Sequence, residues 1–269
     1  IMETDPLLEI FTEENGTIKI LQSKLIDFLE SQGFINVKLG TERILVQKKD
    51  NIISKSSTAE VVDVIRQNLV RRKLFREYEV FARGLTGYIS TRKMELLNSI
   101  EVIDDRDKKD KCTFYFTNCF CEITADNIIV KTYDELKRPI WKNRIIQREF
   151  GEVSNTELGQ FEIFCNNITG NSSERLKGLH SLLGYFLHRN KERGEQKAGI
   201  FYDEKMGVDG KAQGGTGKTL LSYALKQCRE VEIFDGKGLK NDSWFKNQRV
   251  NITTDNLVYD DLAKNASFE

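Results

Sequence analysis

The sequence predicts two structural parts: an α+β domain on the N-terminal side and, after a helical connector, an α/β core built around a phosphate-binding loop. Three observations predict it. Ala212–Thr219 reads AQGGTGKT and opens a helical pattern. Asn256–Asp261 is an apolar strand pattern ending in two carboxylates. Residues 17–132 alternate short β-like runs with amphipathic helical periods.

Whole-chain quantities bound this reading. A chain of 269 residues exceeds one domain of modal size and suggests two or three. Lys plus Arg and Asp plus Glu both number 41, which excludes binding of nucleic acid through a global basic field and leaves only a local patch for that purpose. Two prolines and 30% charged residues, with no low-complexity tract, describe an ordered protein. The five cysteines, Cys112, Cys119, Cys121, Cys165 and Cys228, are odd in number and follow no signal peptide, which predicts reduced thiols and a cytoplasmic location. Cys119 and Cys121 lack partners at zinc spacing and are expected on the buried side of a strand. No apolar run approaches the roughly 20 residues that cross a bilayer, so no membrane partner is expected. The chain starts at Ile1 and stops at Glu269 shortly after an apolar strand, and reads as an excised piece.

Taken in order, residues 1–16 are acidic and aperiodic and are expected to form a tail. From Thr17 as N-cap, Ile18, Leu21, Leu25, Phe28 and Leu29 recur at helical spacing, and Gly33 is the stop signal. Ile35–Leu39 and Arg43–Gln47 read as a hairpin turning at Gly40-Thr41. A second helix runs from Ser57 or Thr58 through Val61, Val64, Ile65 and Leu69. Arg66–Arg83 interleaves Arg71, Arg72, Lys73 and Arg76 with Leu74, Phe75, Tyr78 and Phe81. That pattern suits a nucleic-acid surface, although a solvated helix face is the favoured reading. Asp104–Asp107 is expected to be an exposed loop. Thr113–Phe116, Cys119–Thr124 and Asn127–Lys131 form a three-stranded meander. Together residues 17–132 make the α+β N-terminal domain.

Residues 133–195 form the connector and helical segment. Tyr133–Arg148 is basic and aromatic, read equally as a binding surface or as a connector packed around Trp141. Asn171–Glu174 resembles a capping box leading into Leu176, Leu179, His180, Leu183, Phe186 and Leu187. His180 and His188, eight apart, lack the spacing of a helical metal pair.

The core occupies residues 196–269 and is expected to be incomplete at its C-terminal end. Ala198–Tyr202 reads as a buried strand, followed by an insertion, Asp203–Lys211. Gly214, Gly215 and Gly217 leave the backbone free to take positive φ, so that successive N–H groups, with Thr216 among the nucleotide-binding residues, aim at phosphate oxygens. Lys218 then reaches the β/γ-phosphates of ATP and the Thr219 hydroxyl ligates Mg²⁺, at the N-terminus of a helix carrying Leu221, Ala224, Leu225 and Cys228 on one face. Val231–Phe234 is the next strand, and Asp242–Phe245 starts a short helix. Asp260 at the end of the following strand is the expected Mg²⁺ carboxylate and Asp261 the residue that activates water.

GGTGKT at 214–219, DGKGLKNDSWF at 235–245 and NLVYDDL at 256–262 resemble superfamily 3 helicases, in particular primase-helicases of phages and mobile elements. IWKNRII within Tyr133–Phe150 is similar to the segment before their ATPase core. The resemblance covers roughly residues 130–269. It implies an AAA+-like P-loop ATPase that assembles as a homo-oligomeric ring, usually a hexamer, and translocates on single-stranded or forked DNA during replication. Lys218, Thr219, Asp260 and Asp261 take the corresponding roles. The family's pore motif, sensor and arginine finger are expected downstream of Glu269, so this piece alone is expected to be unable to hydrolyse ATP even where its parent protein does. Two rivals stay open: a P-loop ATPase that switches or remodels protein partners, and a non-catalytic DNA- or partner-binding module in the N-terminal half.

Overall fold

The computed structural model describes residues 5–101, 105–151, 157–192, 194, 196–203, 215–237 and 247–262. The chain is mixed α/β and divides into two compact units, one of residues 1–105 and 136–142, the other of 106–135 and 143–269. This partition differs from the expected boundaries, because the meander at 112–131 groups with the second unit.

The first unit opens on a hairpin of β1 (Phe11–Glu14) and β2 (Thr17–Ile20), paired from Phe11↔Ile20 to Glu14↔Thr17 across Asn15-Gly16. Two expectations are corrected here. Thr17 does not cap a helix, since α1 spans Gln22–Ser31. Nor are the described residues of the expected 1–16 tail, 5–16, free: Leu7 and Ile10 are 0% and 1% exposed, because an apolar pair beside a hairpin gains more by burial than an acidic flank loses.

Strands β3 (Phe34–Leu39) and β4 (Glu42–Lys49) form the expected hairpin, and β5 (Ile52–Lys55), a further strand, pairs antiparallel to β4. α2 (Thr58–Arg71) starts at a complete capping box in which Ser57 accepts from the Glu60 amide and Glu60 accepts from the Ser57 amide. α3 (Phe75–Arg83), the short α4 (Leu85–Tyr88) and α5 (Thr91–Met94), and β6 (Ser99–Glu101) follow.

The chain later returns a two-residue strand, Ile140–Trp141, which completes a five-stranded sheet alongside β5, with β6 at the opposite edge. One apolar core gathers Leu25, Phe28, Leu29, Phe34, Val61, Ile65, Leu69 and Phe81. Trp141 is buried with Val37, Val46 and Ile53 in a second cluster of the same unit.

In the second unit, β7 (Cys112–Phe116), β8 (Phe120–Ile123) and β9 (Ile128–Lys131) form the expected meander, and Ile145–Ile146 pairs parallel to β7. Counting Ile140–Trp141 as β10 and Ile145–Ile146 as β11, the last strands are β12 (Val231–Asp235) and β13 (Asn256–Asp260). These two run parallel in register from Val231↔Asn256 to Asp235↔Asp260. The helices are α6 (Gln160–Ile168), α7 (Ser173–Leu187) and α8 (Lys218–Lys226). α7 is capped by Ser172 accepting from the Arg175 amide, not by a box ending at Glu174.

Cys165, Leu183, Leu221, Leu225 and Val231 form the core beneath these helices, with Ile233 and Val258 packed against it. Ala198–Tyr202 is not a buried strand. Ile200 is 82% and Tyr202 79% exposed, and the segment has no ladder partner among the described residues to satisfy its backbone.

The second unit also buries charge, which corrects the expected exposed loop at Asp104–Asp107. The Asp107 side chain is 1% exposed, and those of Arg189 and Arg229 are 4% and 3% exposed. Asp107 accepts from the backbone amides of Thr113 at 3.0 Å and Arg189 at 2.8 Å, while Cys112 Sγ donates to it at 3.1 Å. Burial alone raises the Asp107 pKa, but the Arg189 and Arg229 charges outweigh it and hold the carboxyl below its usual value. Burial pushes the Cys112 thiol up to about 12. A second buried pair joins Arg144 to Asp255 at 2.7 Å, which gives that part of the basic stretch a structural role. Asp104 lies outside the described residues.

Candidate functional site

The site is assembled where α8 begins and where β12 and β13 end. Gly217 is the N-cap of α8 with φ 92°, and it offers no side chain to cap the first turn. A Cβ at this position would lie 2.7 Å from the Phe164 ring, so both conformation and space demand glycine. Gly215 also has positive φ, as expected. Ala212, Gln213 and Gly214 lie outside the described residues, as do Asp242–Phe245. The amides at the start of α8 and the helix dipole make the local field favourable for an anion.

Leu221 and Leu225 fix the helix on β12 by burying one face, which leaves Lys218 and Thr219 at the C-terminal ends of the parallel strands. Thr219 and Asp260 are brought together across 41 residues of sequence. The Thr219 hydroxyl lies 3.2 Å from one oxygen of the Asp260 carboxylate and 3.1 Å from the other, and donates between them. Two oxygens on one Mg²⁺ at about 2.1 Å in octahedral geometry stand about 3 Å apart, so this hydroxyl–carboxylate pair fits a hard, oxygen-liganded cation.

Lys218 makes a different partnership. Its ammonium donates to Asp203 Oδ1 at 2.5 Å and to Thr216 Oγ1 at 2.9 Å, and the Thr216 hydroxyl donates to the same Asp203 oxygen at 2.6 Å. These hydrogen bonds, from Lys218 first and Thr216 second, hold the Asp203 carboxyl below its usual pKa.

Asp261 is not part of either group. Its backbone is left-handed at φ 60°, and its carboxylate pairs at 2.6 Å with Lys237, both side chains being about 70% exposed. The turn beside it depends on Gly236, whose amide donates to the Asp260 carbonyl at 2.5 Å. A Cβ on Gly236 would meet that oxygen at 2.6 Å.

Comparison with protein-family models, curated proteins and solved structures found no match.

Asp203 is not among the expected site residues; in the sequence it opens the insertion before the glycine-rich run. A carboxylate directly after an apolar run and ahead of the glycine-rich run that ends in Lys218 is the available signal. Nothing local to Gly236 in the sequence marks the close approach of the Asp260 carbonyl.

The other candidate surface, the basic run of α2 and α3, is partly neutralised. Arg72 is paired with Asp5, Arg76 with Glu13 at 3.1 Å, and Arg71 donates to Asn68. His180 lies 3.4 Å from Glu162, and His188 Nδ1 accepts from the Asn190 amide. No group of metal-ligating side chains of the His/Cys/Asp/Glu type occurs among the described residues, and no described helix is long and apolar enough to cross a membrane.

Proposed function

We propose that the chain carries the nucleotide site of an AAA+-like P-loop ATPase of the superfamily 3 helicase type, coupling ATP hydrolysis to movement along single-stranded or forked DNA as part of a homo-oligomeric ring. The observation that carries the nucleotide-site reading is the meeting of Thr219 with both oxygens of Asp260 at the end of a parallel strand, one residue from Lys218 at a glycine-led helix start. The DNA and ring parts of the reading rest on the sequence resemblance.

Each residue then has a task. When bound, ATP supplies the transferable phosphoryl group and Mg²⁺ the charge that neutralises it. Lys218 places a positive charge at the terminal phosphates, while the first-turn amides of α8 donate to phosphate oxygens. Thr219 and Asp260 supply oxygen ligands to the metal or to its hydration shell. Asp261 orients the attacking water, a task that requires it to release Lys237.

The test is calorimetric titration of the chain with ATP in the presence of Mg²⁺, comparing wild type with Lys218→Ala. Binding that falls by at least about tenfold in the variant is expected, the loss of one charge-assisted contact to phosphate. Equal binding by the two proteins sinks the assignment. Stimulation of ATP turnover by single-stranded DNA then separates a helicase from an ATPase that remodels proteins.

A further inference from the structure

We propose that Asp203 is an internal stand-in for phosphate, an anionic latch that occupies Lys218 and Thr216 until the terminal phosphate of a nucleotide displaces it. The inference rests on the nucleotide-site reading and adds a regulation of that site. A single carboxylate oxygen takes hydrogen bonds from the Lys218 ammonium and from the Thr216 hydroxyl, and the ammonium also reaches that hydroxyl, closing a three-membered ring of contacts. The Asp203 side chain is only 8% exposed, against 35% for Lys218, so the carboxylate is the more enclosed member of the pair and the lysine the outer one.

Carboxylate and phosphate oxygens make the same demand on an ammonium: negative charge at hydrogen-bonding distance. They cannot share Lys218 without cost, because two anions brought within a few ångströms of each other repel. Nucleotide entry is therefore an exchange, in which the bond from Lys218 to Asp203 is given up as the bond from Lys218 to phosphate forms. The apparent dissociation constant equals the intrinsic one divided by the fraction of molecules whose latch is open. Asp203 thus sets the nucleotide concentration at which the site fills.

The experiment is equilibrium titration of the full chain with ATP and Mg²⁺, comparing wild type, Asp203→Asn, Asp203→Ala, Lys218→Ala and the Lys218→Ala/Asp203→Asn double variant. Both Asp203 variants are expected to bind about tenfold more tightly, equivalent to about 1.4 kcal/mol. The double variant is expected to gain less over Lys218→Ala than Asp203→Asn gains over wild type, because Lys218 is one of the two groups that the latch occupies; an equal gain in both backgrounds overturns the exchange at Lys218.

A reading that needs no variant comes from hydrogen exchange of the wild-type chain. Saturating ATP is expected to speed exchange at the amides of Tyr202 and Asp203, and slowed exchange there overturns the latch. If wild type binds ATP through Lys218 but the Asp203 variants bind equally or more weakly, the latch is wrong and the nucleotide site stands. If no protein in the set binds ATP, the nucleotide-site reading falls and the latch with it.

Discussion

The two units solve the problem of cohesion differently. In the first, Phe28, Leu29, Phe34, Leu69 and Ile65 are all 2% exposed or less and lie in one apolar cluster, so non-directional burial dominates. In the second, the apolar core beneath the helices is smaller among the described residues, and buried ions take over part of the task. Asp107 ties β7 to the residues after α7 and to Arg229 after α8, while Asp255 ties Arg144 to the start of β13. Apolar burial tolerates small shifts, whereas an ion cluster demands one arrangement, because a charge that loses its partner in the interior costs several kcal/mol. The unit that carries the candidate site is therefore the one whose geometry is fixed by polar contacts.

Three substitutions probe this contrast. The largest effect is expected from Asp107→Ala, which removes the carboxylate shared by two buried arginines: a loss of about 3–5 kcal/mol, read as faster hydrogen exchange in β7 and β8. The same carboxylate makes that stability sensitive to acid. Its folded pKa is depressed, so its contribution is complete above the ordinary carboxylate value of 3.8 and is lost as pH falls through the lower folded value. Acid titration of the wild type should loosen β7 and β8 over that range, and Asp107→Ala should flatten the dependence.

Leu29→Ala in the apolar core comes next, at about 3 kcal/mol, read in the amides of β3 and β4 and insensitive to pH over the same range. If it proves costlier than Asp107→Ala, the contrast between the units is reversed. The smallest effect is expected from Ser57→Ala, which removes one half of the capping box of α2 for about 1 kcal/mol in the denaturation midpoint.

What was legible in the sequence was what short-range chemistry dictates. The hairpin around Gly40, the meander at 112–131, the helix after Thr219 and the strand ending at Asp260 follow from local period and turn residues. The candidate site was legible for the same reason in Lys218, Thr219 and Asp260. The Asn15-Gly16 turn was equally local, and the apolar spacing from Ile18 onward obscured it by imitating a helix. The rest depended on distant partners. Asp107 is buried because Arg189, 82 residues later, meets it, and no window around Asp104–Asp107 contains that fact. The exposure of Ile200 and Tyr202 follows from strand pairing, which an apolar run cannot specify by itself.

All five cysteines, Cys112, Cys119, Cys121, Cys165 and Cys228, are free thiols and belong to the second unit. An alkylating reagent is therefore a reporter of that unit alone, with the first unit silent by composition. Cys165 is 0% exposed under the helices, and Cys121 is 1% exposed in the meander, so each is modified only when its own surroundings open. Counting modified thiols against time converts the unequal burial of these side chains into a local clock for the part of the molecule that holds the site.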